Sequence, residues 1–98
     1  MGILAITRRQ GDTTFEQIQT LQVPEAAEVW RLIKAGVIER INFDPEAPAV
    51  MLVLNCADKD AAWSVLRELP MVRAGFITFD LYALGPYTQL EVLFAPPA

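Results

Sequence analysis

The 98-residue sequence holds no histidine and a single cysteine, Cys56, so proton transfer would fall to its carboxylates, with guanidinium groups and phenols as the donors. Two carboxylates on strand-like segments, Asp80 and Glu39, are the candidate general bases. Arg8, Arg40, Arg73 and Tyr82 are the candidates for holding a substrate carboxylate or a developing oxyanion. A guanidinium group meets a carboxylate through two parallel hydrogen bonds. Such a set suits proton transfer at a carbon acid, where a base takes the proton and a cation or donor stabilises the enolate. Each candidate has a structural competitor. Asp80 falls on a strand expected beside the first one, so an ion pair with Arg8 or Arg9 outweighs catalysis there. Glu39 and Arg40 fall on an edge strand, where charges also block unwanted pairing.

Cys56 follows a buried strand and reads as a small apolar filler, because no histidine can activate it. One thiol without imidazole makes no thiolate metal site, and no glycine-rich phosphate loop is present; no cofactor is expected. A lone cysteine also forms no internal disulfide, which fits a reducing, cytoplasmic setting. Eight Lys+Arg against twelve Asp+Glu give a net charge of −4. Scattered basic residues argue against nucleic acid and against an anionic membrane surface as partners. The opening MGILAITRRQ lacks a basic segment and a small-residue cleavage site, so it does not read as a signal peptide.

The elements that must position these groups follow from periodicity. Gly2 to Arg9 is a strand closed by the turn Gln10-Gly11-Asp12. Thr13 and Glu16 are spaced as a capping box for a short helical turn carrying Phe15 and Ile18. Pro24 fits the first position of a longer helix, with Glu25 near its positive end. Ala26, Val29, Trp30 and Ile33 form its core stripe, and Gly36 stops it. Val37 to Asp44 alternates, with Val37, Glu39, Ile41 and Phe43 on one side. Ala49 to Asn55 is apolar on both faces. Asp58 caps a second helix with Ala62, Val65, Leu66 and Leu69 inward. Trp63 lies off that stripe. Phe76 to Leu84 is the last clear strand, and Thr88 to Phe94 is a further segment with Leu90, Val92 and Phe94 on one side.

The order is β-α-β-β-α-β plus a tail, in one domain over residues 1–98. It predicts an α+β, ferredoxin-like sandwich with an antiparallel sheet, both helices on one face and the first and third strands central. Those two strands are apolar on both sides, yet two helices cover only one face. Hydrophobic residues make up 53% of the chain, and a domain this small buries only roughly 60–65% of its unfolded surface. No apolar run approaches the ~18–20 residues of a membrane span. The surplus is left to an oligomer interface or a ligand cavity, and the doubly apolar strands favour the interface: a homodimer, or a higher oligomer, is expected.

The helix end Ala35-Gly36-Val37, the strand from Pro48 to Leu54 and the block LRELPMVRAGFITFDLYAL (Leu66–Leu84) resemble the muconolactone-isomerase-like branch of the dimeric α+β barrel superfamily. The tail from Gly85-Pro86-Tyr87 to Phe94 is similar to small members of that group. The resemblance implies two sheets packed face to face across a dimer, helices outside, and a small-molecule cavity beside each sheet. It also places Asp80 at the acidic position of the last strand and implies, for the namesake, isomerisation of an unsaturated lactone. The namesake's second-strand lysine and histidine are replaced within Val37-Ile38-Glu39-Arg40, and no His-Asp pair exists, so those assignments do not transfer. The expectation is a homodimeric barrel binding a small organic acid or lactone-like metabolite, acting as an isomerase. The alternative is a non-catalytic dimeric binding or accessory module; a cofactor-free oxygenase is a weaker third. The tail is expected to cross to the partner. The two leading readings separate on whether Asp80, Glu39 and the arginines converge on an open cavity.

Overall fold

A computed structural model describes residues 2–94. Strand β1 (Gly2–Arg9) leads into α1 (Phe15–Thr20) and α2 (Gln22–Lys34), followed by β2 (Ile38–Asp44) and β3 (Ala49–Asn55). Then come α3 (Lys59–Leu66), the single turn α4 (Pro70–Arg73), β4 (Ile77–Leu84) and a 3-10 turn, Thr88–Leu93. The strands form one four-stranded sheet in the order β2-β3-β1-β4. Every neighbouring pair is antiparallel. The molecule is α+β, with helices packing on an antiparallel sheet, compatible with a ferredoxin-like fold. The two strands that read as apolar on both sides, β1 and β3, are the central pair.

The register divides the sheet into two faces. Ile3 pairs with Leu54 and Ala5 with Leu52 across β1 and β3. These four are buried against Leu32, Ala62, Leu66, Leu69 and Met71 from the helical layer, with Ile77 and Phe79 beside them. Leu4 pairs with Val53 and Ile6 with Met51 on the other face. All four are half-buried and outside the core cluster. On that face Tyr82 and Asp80 of β4 flank Leu4 and Ile6, while Arg40 of β2 flanks Val53. No helix among the described residues covers it.

The two helix-to-strand corners are built alike. Gly36 and Gly75 both sit at φ +77°, left-handed backbone that glycine adopts without Cβ strain. Behind each, the Schellman pattern of hydrogen bonds closes the helix: Val37 N–H donates to Leu32 O and Phe76 N–H to Met71 O, both at 3.0 Å. The segments Lys34-Ala35-Gly36-Val37-Ile38 and Arg73-Ala74-Gly75-Phe76-Ile77 thus launch the two edge strands, each delivering a buried isoleucine to the core.

Four sequence expectations shift. The capping box belongs to Thr14 and Gln17: Thr14 Oγ1 accepts from Gln17 N–H at 3.2 Å and Gln17 Oε1 from Thr14 N–H at 2.8 Å. Thr13 instead donates its hydroxyl to Gln10 O at 2.7 Å, closing the preceding turn. Helix α2 starts before Pro24, which sits in the first turn where a missing N–H leaves no helical bond unmade. In β2 the simple alternation fails. Ile38 faces Leu54 and Arg40 faces Val53, so three residues on β2 span two on β3, Glu39 is absorbed in a bulge, and Ile41 comes to face Leu52. Ile38, Ile41 and Phe43 therefore share the helical side, and Arg40 and Asn42 the open side. Finally, Thr88–Leu93 winds into a 3-10 turn rather than an extended segment.

Candidate functional site

The stripe of α2 is rotated from its expected face. Trp30 is 57% exposed, with the Lys34 ammonium 5.9 Å from its ring centroid, a cation–π contact at the surface. Leu32 is buried in its place, and Val29 and Ile33 pack against the core. The rotation brings Glu25 inward. Its Oε1 accepts the Met71 N–H at 3.0 Å, capping the start of α4, whose own N-cap residue, Leu69, provides no side-chain cap. Burial pushes the Glu25 carboxyl above its ordinary range; the Met71 N–H pulls it down, and neighbouring Glu28 adds to the rise. Oε2 makes no hydrogen bond among the described residues.

Glu25 stands in the wall of a cleft of about 990 Å³ between the helical layer and one end of the sheet. That volume lies at the upper end of the ~300–1,000 Å³ usual for small-molecule sites. α1 gives the cleft Phe15, Ile18 and Gln19, and α2 gives Gln22, Glu25, Ala26 and Val29. The sheet supplies Thr7 and Arg9 from the end of β1, Ile41 and Phe43 from β2, Val50 from β3 and Phe79 from β4. The wall is largely apolar with a few polar groups. Thr7 Oγ1 accepts the Val50 N–H at 2.8 Å, which leaves the hydroxyl hydrogen free to donate. Gln19 and Gln22 add amides. Phe15 and Phe43 stay largely exposed at the rim, so the cleft opens to solvent.

The candidates singled out in the sequence lie elsewhere or at the border of this cleft. Arg8 and Asp80 meet on the open sheet face in a two-bond pair, Nε–Oδ2 and Nη2–Oδ1 both at 3.2 Å. Tyr82 shares that face, half-exposed, and Arg40 does too. Glu39 is exposed at the bulge, and Arg73 is exposed at the end of α4. Of the six, only Arg8 also borders the cleft, and its guanidinium is engaged by Asp80. Asp80 and Glu39 do not converge. Trp63, for which the sequence offered no placement, packs half-buried against the core.

Glu25 and Arg9 are the charged groups of the cleft that sequence reasoning passed over as site residues. Glu25 was legible as a helix-start charge; the alternative stripe 25-29-32 would have exposed its inward position. Cys56 also packs against the core, and burial, with Asp58 nearby, pushes its thiol up and away from reactivity. Among the described residues no cluster of three or more His, Cys, Asp and Glu is arranged to hold a metal, and no helix is long and apolar enough to cross a membrane. Comparison with protein-family models and with curated proteins finds no match to this chain.

Proposed function

We propose that this chain is one half of a homodimeric α+β barrel and that each copy binds a small organic acid or lactone-like molecule between its helices and its sheet. The observation that carries the binding reading is the cleft of about 990 Å³ itself, apolar on most of its wall and furnished with a few hydrogen-bonding groups. A surface opening of this composition, beside a half-buried carboxyl, fits a metabolite better than it fits a macromolecule. The muconolactone-isomerase-like resemblance implies a small-molecule cavity beside each sheet.

The dimer reading is supported by the other face. Leu4, Ile6, Met51 and Val53 form an apolar strip across the central strands, extended by Tyr82 and Leu84, which are 52% and 45% exposed. The surface of 6843 Å² exceeds the about 5,600 Å² of a compact monomer of this mass. The difference is of the order that one side of a standard interface buries, ~800 Å². The radius of gyration, 16.6 Å, likewise exceeds the about 13 Å of a compact 98-residue domain. In the segment that follows β4, Leu90, Val92, Leu93 and Phe94 stand 54–85% exposed. We assign this segment to the partner's surface.

The placement of the charged groups favours binding over catalysis through Asp80 and Glu39, because these carboxylates lie outside the cleft. If the protein moves a proton, Glu25 is the carboxyl placed to do so. A thermal-shift panel of lactones and small unsaturated acids tests the reading. At least one compound raises the melting temperature by several degrees, since a ligand at a hundred times its Kd adds about 2.7 kcal/mol. Ala26→Trp, which fills the cleft from an exposed helix position, abolishes the shift, and Asp80→Asn leaves it. A panel without effect, or shifts that survive Ala26→Trp, removes the cleft as the site.

A further inference from the structure

We infer that the cleft selects a monocarboxylate amphiphile, its anionic head held at the mouth by Arg9 and its apolar body lying against Val29, Val50 and Phe79. This rests on the reading of the cleft as a small-molecule site and specifies its ligand. Alternation along β1 sends the adjacent Arg8 and Arg9 to opposite sides of the sheet. Arg8 goes to the open face, where Asp80 neutralises it. Arg9 falls on the side of Ile3, Ala5 and Thr7 and borders the cleft. Among the described residues it has no ion-pair partner within 4.0 Å. An exposed guanidinium at the edge of an apolar hollow offers an anion two aligned donors, while the rest of the ligand leaves water.

The other charges bordering the cleft set the polarity of the ligand further in. They are Arg8, already paired, and Glu25, which is half-buried between α2 and α4. Glu28, next to Glu25 on the helix, is itself paired with Arg31. A cation at the mouth and a carboxyl within the wall admit one anionic end and an uncharged body. A dicarboxylate would set its second charge against Glu25, and a neutral lactone would leave Arg9 unused.

Three eight-carbon probes with different heads test this by calorimetry: octanoate, 1-octanol and octylammonium. Octanoate binds about 10-fold more tightly than octanol, the factor carried by 1.4 kcal/mol, and octylammonium binds more weakly than either. Arg9→Met brings octanoate down to the affinity of octanol without weakening octanol, and Arg9→Lys retains part of the preference. Equal binding of all three probes, preference for octylammonium, or an octanoate preference that survives Arg9→Met overturns the role of Arg9 while leaving the cleft a binding site. Failure of all three to bind overturns both readings.

Discussion

Leu4→Glu tests the open face where it is most apolar. Leu4 is half-buried on a central strand, between Val53 on one side and Tyr82 on the other, with no basic side chain opposite it in the ladder. In the separate chain the new carboxylate reaches solvent, so the fold loses little. In a dimer whose sheets pack face to face, each copy brings one such carboxylate into the interface. Desolvating an ion costs several kcal/mol even after relaxation. If the interface yields so that only about 3 kcal/mol is lost per dimer, the dissociation constant rises on the order of 100-fold, at 1.4 kcal/mol per decade. Sedimentation velocity from 1 to 100 μM would show wild-type dimer throughout and Leu4→Glu shifted towards monomer, with unchanged far-UV circular dichroism. Phe43→Glu, a charge on the helical side, leaves the dimer intact. A wild-type monomer at 100 μM, or a Leu4→Glu dimer of unaltered affinity, refutes the reasoning.

Other outcomes follow from particular residues. A carboxyl raised by burial favours the folded state most when protonated: the stability linked to Glu25 is full below the ordinary ~4.3 and is lost as pH rises through its higher folded value. Glu25→Gln keeps an oxygen for the Met71 N–H, a bond worth about 1 kcal/mol, so its melting temperature matches wild type at pH 3.5 and equals or exceeds it at pH 7. A wild-type stability that climbs faster than the variant's between those pH values contradicts the assignment. Truncation after Gly85 removes the exposed Leu90, Val92, Leu93 and Phe94 and raises the dimer dissociation constant measurably in the same sedimentation assay; an unchanged constant places the segment outside the interface. The Cys56 thiol, pushed up by burial and Asp58, reacts with a disulfide reagent at pH 7 more slowly than a free cysteine does, and a faster reaction marks it as activated.

Much of this architecture is written in local pattern. The doubly apolar Ile3–Ile6 and Val50–Leu54 announce central strands because only strands flanked on both edges can afford apolar side chains on both faces. Asp58 announces its helix, accepting the Ala61 N–H at 2.8 Å. The Arg8–Asp80 pair was foreseeable from the expected adjacency of the first and last strands. A cavity beside the sheet was implied by the family resemblance, but its lining was not legible, for two physical reasons. The rotation of α2 is decided by packing against the sheet, where Leu32 fits, while Trp30 is left over Lys34 at the surface. The i, i+3, i+4, i+7 spacing from Ala26 instead favours the tryptophan. The bulge at Glu39 then shifts the phase of β2, sending Ile41 and Phe43 to the cleft side, and a one-residue irregularity has no signature in an alternating sequence.

Methyl resonances report most directly on where a ligand sits. Titration of octanoate into methyl-labelled protein, followed by carbon–proton correlation spectra, should perturb Val29, Val50, Leu52 and Met71, which surround the cleft. Leu4, Ile6, Met51 and Val53, on the opposite face of the sheet, should stay in place. Perturbation confined to that second group, or no perturbation at millimolar octanoate, contradicts the account.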